Sequence, residues 1–245
     1  FDNQGTGFED PAACLLSEKL VGGFRKHLKA QGKKTGNASD YNTFFFPINQ
    51  AAIINAGFDE IPKEYDSAKQ NMIYWLPRTD SNCAFSHQHV VPTLKALKEK
   101  YNVHVTFASN PEHFRDFQDR LDSYFLIIPA GHGSQATLSN SERDTRLHGD
   151  SGSEGALRMN DPKLDTYFSK LSRNGKILLH ACSTGMGDDN LATRLSQRLP
   201  GVEIFAATDV SYGMQLDVAT MAVRHPTLRN QSLTKMFYTP QSAAK

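Results

Sequence analysis

Two residues of this chain could do covalent chemistry together: Cys182, which closes the run KILLHAC, and His132, which follows the run YFLIIPAG. A thiol has an ordinary pKa of about 8.5 and is mostly protonated at neutral pH, so a neighbouring imidazole is needed to promote the nucleophilic thiolate. Such a His also shuttles the proton. Attack on a carbonyl carbon creates an oxyanion that needs preorganised N–H donors, whose loss typically costs about 2.7 to 4 kcal/mol. Gly133, directly after the His, lets backbone approach that oxygen because no side chain intervenes. A second His-Gly pair, His148-Gly149 in TRLHGDSG, follows charged and polar residues instead of an apolar run and reads as a loop.

The elements that must position this pair are short apolar runs alternating with helical patterns from Asn71 onward. MIYWLP, VHVTFAS, YFLIIPA, KILLHAC and VEIFAAT read as five strands, and TKMFYT near the C-terminus as a sixth. Between them, helices are expected over His89 to Tyr101, from Asn110-Pro111 through Leu121, from Asp161-Pro162 to about Ser172, and from a cap at Asp188 or Asp189 to Leu199. Residues 134 to about 160 read as one long polar loop. Apolar runs that are continuous, not alternating, indicate a buried and mostly parallel sheet flanked by helices on both faces, an α/β fold. Sites in such sheets form at the carboxyl ends of strands, which is where His132 and Cys182 fall.

Ahead of this domain (residues 71–245), residues 1–70 read as a helical and irregular N-terminal extension packed on it. Asp10 and Pro11 can open a helix in which Leu16, Leu20, Val21, Phe24 and Leu28 recur at helical spacing. Its polar side carries Arg25, Lys26 and Lys29, followed by Lys33 and Lys34. A basic run of this kind is usually a solvated face, and its sharper reading is a contact for an anionic activator.

A formal net charge of +1 gives no general pull toward nucleic acid or membrane, and no apolar run approaches the roughly 18 residues of a membrane span. The three cysteines, Cys14, Cys83 and Cys182, cannot all pair within the chain, which points to a reducing compartment. The absence of an initial Met points to a processed product or a fragment. Cys83, His87 and His89 form C-x3-H-x-H without a fourth ligand at a conventional zinc spacing, so no metal or other cofactor is expected.

The order His-Gly then Ala-Cys, fifty positions apart and each after an apolar run, resembles the clan CD cysteine peptidases: caspases, legumain, gingipain, clostripain, separase and the autoprocessing domains of large bacterial toxins. The resemblance covers roughly residues 71 to 215. It implies a caspase-hemoglobinase-like fold and a cysteine endopeptidase with Cys182 as nucleophile and His132 as general base, then acid. It also implies an oxyanion hole formed by the backbone N–H groups of Gly133 and Cys182. The side chain preceding the scissile bond would meet His180, two before the Cys, and Asp209 with Val210 and Ser211 beyond the next strand. His180 departs from the family's usual residue at its position, and Cys-x-x-Gly is closer to legumain and separase than to caspases. Glu142, Asp144 and Asp150 are candidates for a third group, with none preferred. The partner implied is a protein substrate, in a cytoplasm or in a reducing host cytosol reached by secretion, as would suit a bacterial effector. The alternatives are self-processing within residues 134–160, use of the same dyad for acyl transfer or modifier removal, and a catalytically silent scaffold.

Overall fold

In a computed structural model of the chain, the described residues are Ala30 and residues 48–78, 85–108, 110–139, 155–210, 215–224 and 234–241. Their centre is a six-stranded sheet built from β1 (Gln70–Trp75), β2 (Tyr101–Thr106), β3 (Tyr124–Pro129), β7 (Leu171–Leu179), β8 (Glu203–Ala207) and β11 (Thr234–Phe237). The spatial order is β11-β8-β7-β3-β1-β2. Every neighbouring pair is parallel except β11 with β8. The chain thus runs outward from β1 to β2, reverses direction across the sheet at β3, and proceeds to β8. In such sheets the crevice opens beside the strand where the order reverses.

Alternate residues of the strands feed two cores. Met72, Tyr74, Leu126, Ile128 and Leu178 face one side, where they pack with Val90, Leu94 and Leu97 of helix α1 (His87–Lys98) and with Ile53 and Phe58. Ile73, Trp75, Ile127, Ile177 and Leu179 face the other, against Phe114 and Phe117 of α2 (Pro111–Gln118) and Leu191, Ala192 and Leu195 of α3 (Leu191–Arg198). Each fully buried side chain of Leu or Phe size contributes about 1.5 to 3 kcal/mol of transfer free energy. The single tryptophan, Trp75, is fully buried, stacks on Phe114 at 4.4 Å between centroids and donates its indole N–H to the Ala108 carbonyl. Helical residues 48–55 join the first core through Ile53, so this described segment before β1 packs with the sheet.

Several boundaries differ from the sequence expectation for local reasons. Helix α1 begins at His87 and ends at Lys98, because Ser86 takes the N-cap position and Tyr101 already pairs with Gln70 in the sheet. Helix α3 is capped by Asn190, whose side-chain oxygen accepts from the Thr193 N–H, and not by Asp188 or Asp189. Asp189 pairs instead with Arg194 at 2.9 Å. The helix expected from Asp161 is reduced to a 3-10 turn, Thr166–Phe168. Only Leu164, Tyr167 and Phe168 face the core there, one turn's worth of apolar contacts, and the chain enters β7 at Leu171. The expected loop after Ser134 contains two strands, β5 (Thr137–Ser139) and β6 (Ala156–Arg158), which join β4 (His132–Gly133) in a small antiparallel sheet. A two-stranded sheet, β9 (Gln215–Asp217) with β10 (Ala222–Arg224), follows β8.

Among the described residues, no helix is long and apolar enough to cross a membrane. The helix expected near the N-terminus, with Arg25, Lys26, Lys29, Lys33 and Lys34, lies outside the described residues apart from Ala30, as do Cys14 and Cys83.

His104 in β2 generates a pH dependence. Its Nδ1 bonds the Glu60 carbonyl at 2.9 Å while Nε2 is buried without a partner, and burial pushes its pKa below the ordinary value. The unfolded chain therefore takes up a proton near pH 6.5 that the folded chain resists, so stability is lost as pH falls through about 6.5 and below. Urea unfolding followed by Trp75 fluorescence is expected to show wild-type stability falling between pH 7 and pH 5. His104→Asn should show a shallower fall over the same range.

Candidate active site

The ends of β3 and β7 are locked together before either reactive residue is reached. Leu126 pairs with Lys176 and Ile127 with Ile177, and the ladder continues past the strands as a parallel bridge between Ala130 and His180. Its bonds run from the His180 N–H to the Pro129 carbonyl at 2.9 Å and from the Gly131 N–H to the His180 carbonyl at 3.2 Å. His132 and Cys182 each stand two positions beyond that bridge. The spacing of fifty residues noted in the sequence is the register offset of these paired strands.

Gly133 completes the juxtaposition. A methyl group added to it would overlap the Cys182 carbonyl oxygen and lie 3.0 Å from the Cys182 nitrogen and 2.8 Å from the Ala181 methyl. The backbone after the His is therefore laid directly on the backbone at the Cys, an approach that only glycine permits. Gly131 is similarly constrained, since a methyl there would overlap the Ser139 carbonyl of β5. Gln135, in the turn between β4 and β5, fastens the hairpin to the segment after the Cys. Its side-chain amide donates to the Asp189 carbonyl at 2.7 Å, and its own carbonyl accepts from the Leu191 N–H at 2.9 Å.

Cys182 carries a reduced thiol and is 9% exposed, at the edge of the first core. The next residue, Ser183, has φ of 55°, in the left-handed region that costs a non-glycine residue about 1 kcal/mol or more. Two bonds fix it: its N–H donates to the Asp209 carbonyl at 3.0 Å, and its carbonyl accepts from the Met186 N–H at 3.0 Å. The chain thus turns sharply after the Cys, and the end of β8 is tied to it.

His180 points into the protein. It is 4% exposed, its Nδ1 pairs with the Tyr74 hydroxyl at 2.7 Å, and its ring meets Phe85 edge-on at 5.1 Å between centroids. Burial pushes the Tyr74 hydroxyl well above its ordinary pKa, so the phenol stays neutral beside the imidazole. Asp209 is exposed, and its carboxylate accepts from the Val210 N–H at 2.6 Å. The structure thus brings His132, Gly133, Cys182 and the Asp209 backbone to one sheet edge and sets the His180 side chain in the interior. Ser211, Glu142, Asp144, Asp150 and His148 lie outside the described residues. Among the described residues, no three His, Cys, Asp or Glu side chains cluster as metal ligands would.

Three contributors were missed from sequence. Tyr74 lies in an apolar strand where a hydroxyl carries no signal of its own. Gln135 and Ser139 fall in a segment read as loop. The alternation of Thr137, Leu138 and Ser139 was the available signal for β5, but three residues are too few for periodicity to register.

The chain matches no protein-family model and no curated protein sequence. The close packing of Gly133 generates a direct expectation. Gly133→Ala forces the hairpin off the Cys182 backbone and should cost about 1 to 3 kcal/mol, the range for overpacking a tight site. A lower urea midpoint with an unchanged slope is the expected readout.

Proposed function

We propose that the chain is a cysteine endopeptidase with a caspase-hemoglobinase-like fold, using Cys182 as nucleophile and His132 as general base and acid. The observation that carries this reading is the register of β3 with β7, which places both residues two positions beyond one bridge and seats Gly133 on the Cys182 backbone. A thiol and an imidazole on neighbouring strand ends of a parallel sheet, with a side-chain-free backbone approach between them, suit acyl chemistry.

In the proposed cycle, His132 takes the thiol proton and the thiolate of Cys182 attacks the carbonyl carbon of a peptide bond. The oxyanion of the tetrahedral intermediate accepts from the N–H groups of Gly133 and Cys182. Collapse breaks the C–N bond as His132 gives its proton to the leaving amine, and a thioester remains on the enzyme. Water then attacks that thioester with His132 as base, releasing the carboxylate and restoring the thiol. Asp209 supplies a carboxylate at the rim that favours a basic or polar side chain before the cut, and His180, held by Tyr74 and Phe85, supports the wall behind it. Ser211 remains the third residue proposed for this pocket, and an anionic activator is proposed for Arg25, Lys26 and Lys29.

Mass-spectrometric profiling of cuts in a proteome-derived peptide library tests the reading. Wild type should cut, Cys182→Ala should not, and His132→Ala should lose about 10²- to 10⁴-fold in kcat/KM, the usual contribution of a general base. Equal cutting by wild type and Cys182→Ala would refute the assignment. Products carrying an added amine, with competing amines present, would show transfer in place of hydrolysis.

A further inference from the structure

We propose that Ser139 is the positioning residue for His132. The two side chains are not bonded to each other in this structure; on rotation toward one another the hydroxyl accepts a hydrogen bond from one ring N–H of the imidazole and leaves the other ring nitrogen to the Cys182 thiol. This rests on the dyad reading above.

Ser139 is the residue directly opposite His132 in the antiparallel pairing of β4 with β5. Side chains at opposed positions project from the same face with β-carbons about 4.5 to 5.5 Å apart, a span that a hydroxyl and an imidazole bridge by rotating about their side-chain torsions. Leu138, the residue between, projects to the opposite face and is buried in the second core. Ser139 is held on both sides, since it also pairs with Ala156 of β6. Its carbonyl is pressed against Gly131, where an added methyl would overlap it. The hydroxyl thus sits on the central strand of a small sheet, a firmer mount than a loop.

The second observation is energetic. Ser139 is 5% exposed and its Oγ is buried with no hydrogen-bond partner. A buried hydroxyl left in this condition costs about 1 to 3 kcal/mol, which alanine at the same place would avoid. A local cost kept beside a reactive residue is a mark of function. A neutral acceptor on the His orients the ring without adding a charge.

The test is the rate of Cys182 alkylation by iodoacetamide between pH 5 and 9, with the adduct located by mass spectrometry, in the intact chain. Wild type, His132→Ala, Ser139→Ala, Ser139→Thr and Ser139→Val are compared, each with its urea midpoint. Ser139→Ala should react about tenfold more slowly than wild type at pH 7, the scale of one net hydrogen bond, with a pH profile moved toward that of His132→Ala and a midpoint equal to or above wild type. Ser139→Thr should recover the rate and Ser139→Val, its isostere without the hydroxyl, should not. The proposal is overturned if Ser139→Ala follows the wild-type profile, or if Thr and Val react alike. Should Ser139→Ala not fold, the Thr and Val pair decides alone. If wild type and His132→Ala share one profile, the dyad itself fails, an outcome distinct from failure at Ser139.

Discussion

The register of β3 against β7 is the constraint on which the remainder of the site depends. Between the pairs Tyr124↔Leu171 and Leu126↔Lys176, β3 advances two residues and β7 five, and the extra chain is taken up around Gly175. A methyl there would lie 2.8 Å from the carbonyls of Phe125 and Ser172. Beyond this irregularity the offset stays at fifty through Ile127↔Ile177 and Ala130↔His180. A slip of one residue would turn every side chain of a strand to the other face. It would exchange the core residues Ile177 and Leu178 between two differently shaped cores, and it would move Cys182 away from Gly133. Burial of both faces therefore fixes the placement of His132 and Cys182 as well as the fold.

Around this register the chain accepts a few costly local arrangements. Ser183 takes a left-handed backbone directly after the Cys, and Ser139 keeps a buried hydroxyl without a partner opposite the His. Neither cost is diffuse: Ser183 directly follows Cys182, and Ser139 pairs with His132. The interior pair of Tyr74 and His180 spans β1 and β7 two residues before the Cys, so a side chain expected to line a pocket braces the edge on which the pocket would stand. The β4–β5 hairpin is tied to the opposite side by Gln135, so the His and Cys segments are fastened both below and beside the site.

Much of the scaffold was legible because parallel strands buried on both faces leave a direct trace. YFLIIPA, KILLHAC and VEIFAAT are too apolar and too short to be anything else beside their helical neighbours. The cap at Asn110 was equally plain, since Asn-Pro before a helix satisfies the Ncap and N1 preferences together. What remained hidden depends on pairing. Thr137–Ser139 is a strand only because Gly131 and Gly133 let it and β4 lie close to neighbouring backbone, and the eventual partner Ala156 is far along the chain. The capping role of Asn190 over Asp189 was decided by the Gly187 carbonyl, which accepts from the Asn190 amide at 2.7 Å. His132 and Cys182 were legible as a pair, while their being in register was not, because the irregularity at Gly175 cannot be counted from composition.

The most direct measurement of the central claim is a crystal structure of the chain with a peptide aldehyde bound. A hemithioacetal on Cys182 is expected, with its oxygen about 3 Å from the backbone nitrogens of Gly133 and Cys182 and a ring nitrogen of His132 within hydrogen-bond reach. An aldehyde that leaves Cys182 unmodified, or an adduct whose oxygen turns away from Gly133, would contradict the assignment of these strand ends as a catalytic site.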